Sequence, residues 1–288
     1  MYELSQYAFV ATIAALSLGI LLYFLNAVAA RGLPMLSFAG GGGPSTSTLD
    51  TVVTAGGRYA TILTVNAAAF LTASLAFRAV ASGHGPFGNM YEFSLAFSWG
   101  ALVLYLYFEV KYHLRTLALV VLPVALGMLV YATTVRSEID PLVPALQNDL
   151  LLTVHVAVAI FAYGAFTLAF GAAVLFLIQA RDTIRWLPRR AVLDEMGYRA
   201  VMVGFPMMFL VLILGALWAQ IAWGSYWTWD PKETASLVTW LIYGGYLHAR
   251  VVRGWRGQRS ALLLILGFAA TLFTYFGNYF FGGLHSYA

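Results

Sequence analysis

The sequence predicts an all-α integral membrane protein, a polytopic bundle of about eight transmembrane helices with both termini on the outer side. Three observations carry that prediction. Only 10% of the 288 residues are charged and 61% are hydrophobic, for a mean hydropathy of +0.80, whereas soluble domains average about a quarter charged residues. Apolar runs recur that are long enough to cross a ~30 Å hydrocarbon core as helices of ~20 residues. Lysine and arginine are concentrated in alternate connections, as expected of a chain threaded back and forth through a bilayer. The period-two alternation of outer-membrane barrels is absent.

The elements follow in order. The first span, 7–30, has no basic leader and no small-residue cleavage site, so it reads as a retained helix rather than a signal peptide. Between Arg31 and Arg58 the stretch AGGGGPSTST reads as a flexible linker. Spans 59–80, 91–108, 116–135 and 151–180 come next. The connection 181–199 is the most charged and has room for a short surface helix. Spans 200–222, 235–252 and 261–280 complete the bundle, with an outer tryptophan-rich segment at 223–234. No polar stretch is long enough for a second unit, so 1–288 is one polytopic membrane domain. There is no internal repeat.

Charge sets the expected orientation. Thirteen of the sixteen Lys and Arg residues lie in the first, third, fifth and seventh connections. The opposite side holds Arg136 and Lys232, with Arg78 inside the second span near that side. By the positive-inside rule both termini and the even-numbered connections face outward. The pI near 9.3 therefore reflects membrane orientation, and the expected environment is lipid, with no nucleic-acid partner. The chain has no cysteine, hence no disulfide, no thiolate metal site and no C-x-x-C-H of its own. Any thiol chemistry must use sulfur from a partner or substrate.

Five histidines are candidates for chemistry. His155 lies about one turn inside the outer end of the fifth span, ~6 Å deep at 1.5 Å per residue. His285 is in the tail FGGLHSYA, where two glycines let the chain bend away from the eighth span. Two neutral imidazoles at one level can ligate a metal or haem iron from opposite faces; the plainer reading is an interfacial histidine and a polar tail residue. His248 is fifteen residues beyond Glu233, or ~22 Å down the seventh helix. It is too far away to join that pair, and reads either as an inner ligand or as an interfacial anchor. His84 and His113 read as loop residues.

The outer segment has two parts. Asp230, Pro231 and Glu233 have the pattern of an N-cap acid, a proline at the first helical position and a capping-box glutamate, which accounts for the acid without catalysis. Trp223, Tyr226, Trp227 and Trp229 exceed what a membrane-surface aromatic belt requires; Trp218 and Trp255 suit such a belt. A dense aromatic shelf suits a large planar ligand, and the helix start beside it suits carboxylates.

These residues also carry a resemblance. WGSYWTWD, Trp223 to Asp230, matches the W-G-x-x-W-x-W-D (WWD) signature of the haem-handling protein superfamily. The longer string WGSYWTWDPKETASLVTWLIYGGYLH resembles the CcsA/ResC branch, the membrane component of the System II cytochrome c synthase. PFGNMYEFSLAFSW, Pro86 to Trp99, is similar to that family's P-x-x-N-x-Y-E segment. His155 falls where the family has its first external histidine, and GLHSY, Gly283 to Tyr287, resembles the ending that carries the second. The resemblance runs from about Pro86 onward. It implies haem b as cofactor, with His155 and His285 as outer axial ligands and Trp223, Gly224, Trp227, Trp229 and Asp230 in contact with it. It further implies a second, inner haem site at His248, completed by a CcsB/ResB-type membrane partner, and apocytochrome c as substrate.

The implied function is to carry haem outward and present it for thioether attachment to C-x-x-C-H, as the haem-handling component of a holocytochrome c synthase (haem lyase). The implied location is the bacterial cytoplasmic membrane or the thylakoid membrane, with the tryptophan segment on the periplasmic or lumenal side. No residue stands out as a catalytic acid or base. Alternatives are a System I-type haem-delivery subunit, a transporter of small organic anions using the tryptophans and Arg78, and a respiratory cytochrome b subunit.

Overall fold

The computed structural model describes residues 1–31, 48–139, 141–142, 147, 149–184, 186–277 and 281–285. Eight α-helices account for most of them: α1 Tyr2–Arg31, α2 Thr48–Ser82, α3 Met90–Tyr112, α4 Ala118–Ala132, α5 Asp149–Ile178, α6 Arg190–Trp223, α7 Pro231–Val251 and α8 Gln258–Phe276. Among the described residues there is no strand. Residues 32–47 of the expected linker, the last three residues of the expected eighth span and the Ser286–Tyr287 part of the GLHSY ending fall outside the described residues; the rest of that linker, 48–58, is not linker but the first turns of α2.

Seven of these helices are long and apolar enough to cross a membrane, and the chain is an integral membrane protein. The remaining one, α7, has a comparable length of 21 residues. It is more polar because Lys232 and Glu233 sit in its first turn and His248 and Arg250 in its last. Local chemistry sets the ends that frame the site. Asn89 caps α3 by accepting the Glu92 amide at 3.0 Å. Gly224, at φ 73°, closes α6 in the left-handed region that glycine enters at no steric cost.

The sixth helix differs from expectation. It begins at Arg190, so there is no separate surface helix over the last ten residues of the charged connection: they form the opening turns of a 34-residue rod, ~51 Å long. The charges are tolerated because they are paired. Asp194 accepts from the Arg250 guanidinium at 2.7 Å and from the Gly257 amide at 3.1 Å, while Leu193 and Met196 of the same turns are buried. Likewise, the expected fourth span resolves into a 3-10 turn, Arg115–Leu117, followed by α4.

Helix α5 is the centre of the bundle and packs on α3, α4, α6 and α8, while α1 pairs with α2 and α7 with α8 and α6. The α3–α5 crossing is made of backbone. A Cβ on Gly164 would lie 2.8 Å from the carbonyl carbon of Gly100, a separation only a hydrogen side chain permits. Arg78 is fully buried and bonds Glu92 through Nε, donates to the Glu138 carbonyl at 3.1 Å, and lies 4.7 Å from the Tyr91 ring centre. It therefore neither snorkels to the interface nor lines the cleft described below. At the other end, Glu109 accepts from Tyr23 at 2.7 Å, Tyr105 at 2.6 Å and Arg115 at 3.1 Å, tying α1, α3 and the 3-10 turn together.

Candidate functional site

One end of the bundle gathers the beginnings of α3, α5 and α7, the end of α6, and the tail 281–285. Between them lies an open cleft of about 1040 Å³, solvent at its mouth included. Its walls are mostly apolar and aromatic. Phe93 and Phe97 come from α3, His155 and Tyr163 from α5, Gly215 and Trp218 from α6. Trp227, Lys232, Glu233 and His285 close the outer rim.

The two histidines expected at one level are brought to this cleft from elements distant in sequence. Trp218, 3% exposed, packs against both: its ring centre is 6.2 Å from that of His155, tilted by 30°, and 5.7 Å from that of His285. Trp223 meets His285 edge-on at 4.8 Å and Trp218 at 5.2 Å. Trp227 lines the cleft, with Trp229 perpendicular to it at 5.7 Å. Trp229 itself is 69% exposed and holds a left-handed φ of 60°, a conformation that bulky residues rarely adopt. His248 is elsewhere, exposed near the far end of α7.

Asp230 organises the rim. Its carboxylate accepts the Lys232 amide at 3.1 Å, and Glu233 reaches back to the Asp230 amide at 3.2 Å, completing the capping box. The same carboxylate accepts the Leu284 amide at 2.6 Å and His285 Nδ1 at 2.7 Å. A Cβ on Gly283 would overlap that carboxylate, so the tail docks this closely only with glycine there. Burial pushes the Asp230 carboxyl up, but the hydrogen bond from His285, its charge, and the two amides outweigh it and hold the pKa below the ordinary value. For His285, burial and then the nearby Lys232 charge push the pKa down to about 4, against the pull of Asp230. The imidazole is therefore neutral at pH 7, with the proton on Nδ1 facing Asp230 and the lone pair on Nε2.

His155 is the complementary case. Its Nδ1 is buried without a hydrogen-bond partner, which costs about 1–3 kcal/mol unless something binds it. A Cβ on Gly215 would lie 3.1 Å from the same ring, so α6 leaves space where the imidazole sits. Glu233 Oε1 is also buried without a partner, its other oxygen being held by Thr228 and Asp230.

This donor set suits one kind of metal. No cluster of three or more His, Cys, Asp or Glu able to hold an ion occurs among the described residues, whereas a bare zinc ion needs three or four protein ligands. Two imidazoles suit a metal whose remaining positions are filled by a macrocycle, and the aromatic walls suit its faces. The cleft fits haem on these grounds.

Trp218 and Lys232 are cleft residues that sequence reasoning assigned to the aromatic belt and to charge asymmetry, and Tyr163 and Tyr275 line the cleft without having been singled out. A usable signal existed for Trp218. Counting back from the tryptophan segment in helical steps gives Ala222, Trp218, Gly215 and Val211, one face of α6.

The fold and the site together define an integral membrane protein with a histidine- and tryptophan-lined cleft at one end of its helix bundle. Residues 87–285 match the family described as Cytochrome C assembly protein. The chain is 34% identical over 252 residues to the cytochrome c biogenesis protein CcsA of Guillardia theta, covering 78% of this chain and 83% of that one. Against CcsA of Gloeobacter violaceus the identity is 32% over 339 residues, covering 96% and 94%. The chain thus belongs to the cytochrome c assembly family, as a CcsA-type cytochrome c biogenesis protein. Its fold is also similar to a solved cytochrome c haem lyase, CcmF, with a TM-score of 0.66 at 21% identity over 96% of this chain, although the chain spans only 46% of that protein.

Proposed function

We propose that the cleft holds haem b between His155 and His285 and presents it to apocytochrome c. The observation that carries this reading is the meeting of two imidazoles from distant elements across one aromatic-walled cleft, with His155 Nδ1 buried and unsatisfied. Haem, when bound, supplies the iron and the vinyl groups to which the C-x-x-C-H cysteines add. The chain's residues do the holding. Asp230 fixes the His285 tautomer and ring, which raises ligand basicity. Trp218 packs against both imidazoles, and Trp223 and Trp227 extend the shelf. The absence of cysteine leaves all sulfur to the substrate.

The same reading places the cleft and both termini on the outer side of a bacterial cytoplasmic or thylakoid membrane. It also gives His248 to an inner haem site shared with a CcsB/ResB-type partner. In support, His248 lies on an exposed stripe of α7 with Val238, Leu241 and Gly245, spaced as one face of a helix that another helix covers. Coverage of most of the CcsA relatives' length supports the System II assignment over the System I alternative.

The test is spectroscopic. Protein purified with its partner is expected to show a haem Soret band. His155→Ala and His285→Ala are expected to lose outer haem and cytochrome c maturation, both partly restored by added imidazole, and His248→Ala to lower total haem loading. Colourless wild-type protein from haem-sufficient cells would sink the reading.

A further inference from the structure

We propose that Lys232 is the anchor for a carboxylate of the bound porphyrin, an inference that rests on the haem reading of the cleft. Lys232 is one of only two basic residues in the outer connections expected from charge, and that sparse charge is here spent on the cleft wall. Its ammonium lies 5.5 Å from the Phe93 ring centre, and no carboxylate approaches within ion-pair distance among the described residues. The nearest acid on its own segment is committed: both Asp230 oxygens are taken by Leu284, His285 and the Lys232 amide. A half-buried ammonium over an aromatic face, with Asp230 engaged elsewhere and no ion pair to Glu233, is an incomplete ion pair.

The missing anion must enter the cleft, and its chemistry follows from the cleft. A ligand large and apolar enough for the aromatic walls, ligated by imidazoles and carrying ionised carboxylates, is a metalloporphyrin with its two propionates. Glu233, beside Lys232 on the same turn, lines the cleft and keeps one buried oxygen without a partner; its charge repels a carboxylate. Lys232 and Glu233 therefore give the rim one favoured and one disfavoured position for the propionate edge, and so select an orientation.

The test compares ferric haem with its propionate dimethyl ester, titrated into the full-length protein and followed by the Soret shift. Wild type is expected to prefer the free acid by about tenfold to a hundredfold, the range for a hydrogen bond between charged groups. Lys232→Met is expected to abolish the preference by weakening the acid alone, and Lys232→Arg to retain it. Unchanged ester binding in Lys232→Met reports an intact cleft. A Lys232→Met protein that keeps the wild-type preference overturns this inference and leaves the haem reading standing. A wild type that binds neither ligand overturns both. Repeating the titration with saturating phosphatidylglycerol separates the two available anions: loss of the preference there assigns Lys232 to lipid phosphate and overturns the proposal.

Discussion

Asp230 shows how much one side chain does at this site. Its place before Pro231 identifies it in the sequence as a helix cap, and the capping box is present. The contacts with Leu284 and His285 are invisible locally, because their partners arrive from the other end of the matched region. Asp230→Asn keeps an oxygen for the α7 amides but removes the negative charge facing the imidazole. It is expected to weaken outer haem binding by about ten- to a hundredfold, the usual cost of losing a carboxylate behind a metal-bound histidine. Soret titration measures this, and wild-type affinity in the variant would detach Asp230 from ligand positioning. Trp218 marks the limit of reading residues singly. A lone tryptophan near a helix end has the statistics of a membrane anchor, and only the fold sets it against two histidines.

At the scale of elements, the apolar runs were legible because each helix must satisfy its own backbone in a bilayer. The beginning of α6 was not. Arg190, Asp194, Glu195 and Arg199 read as solvated connection, whereas in the fold Asp194 and Glu195 pair with Arg250, Glu195 with Arg199, and Asp194 accepts from the turn before α8. Nor could local sequence reveal that Gly100 and Gly164 face one another. That crossing sets the spacing of α3 and α5, which carry Phe93, Phe97, His155 and Tyr163 to the cleft. Gly164→Val is expected to destabilise the protein by about 1–3 kcal/mol through overpacking, whereas Gly127→Ala, where a Cβ meets nothing within 4 Å, is expected to be neutral or better. Equal thermal midpoints for the Gly164 variant and wild type would mean that the crossing is not tight.

At the scale of the whole molecule, charge asymmetry and fold agree in separating two ends. The N-terminal turn, the connection near Ser137, the tryptophan segment and the tail share one end, while Arg115, Arg250 and the start of α6 occupy the other. Which end faces outward is directly measurable, because a chain without cysteine reports cleanly on a single introduced thiol. Tyr226→Cys is expected to react with a membrane-impermeant maleimide in intact cells and Arg253→Cys only after lysis. The reverse pattern would invert the topology. The docking of the tail on Asp230 also has a kinetic consequence. Withdrawing residues 283–285 would strip two donors from a buried carboxylate at once, so the tail is expected to leave in a single step. The residence time of anything held through His285 would then be set by the lifetime of the docked tail as well as by the bond to the imidazole.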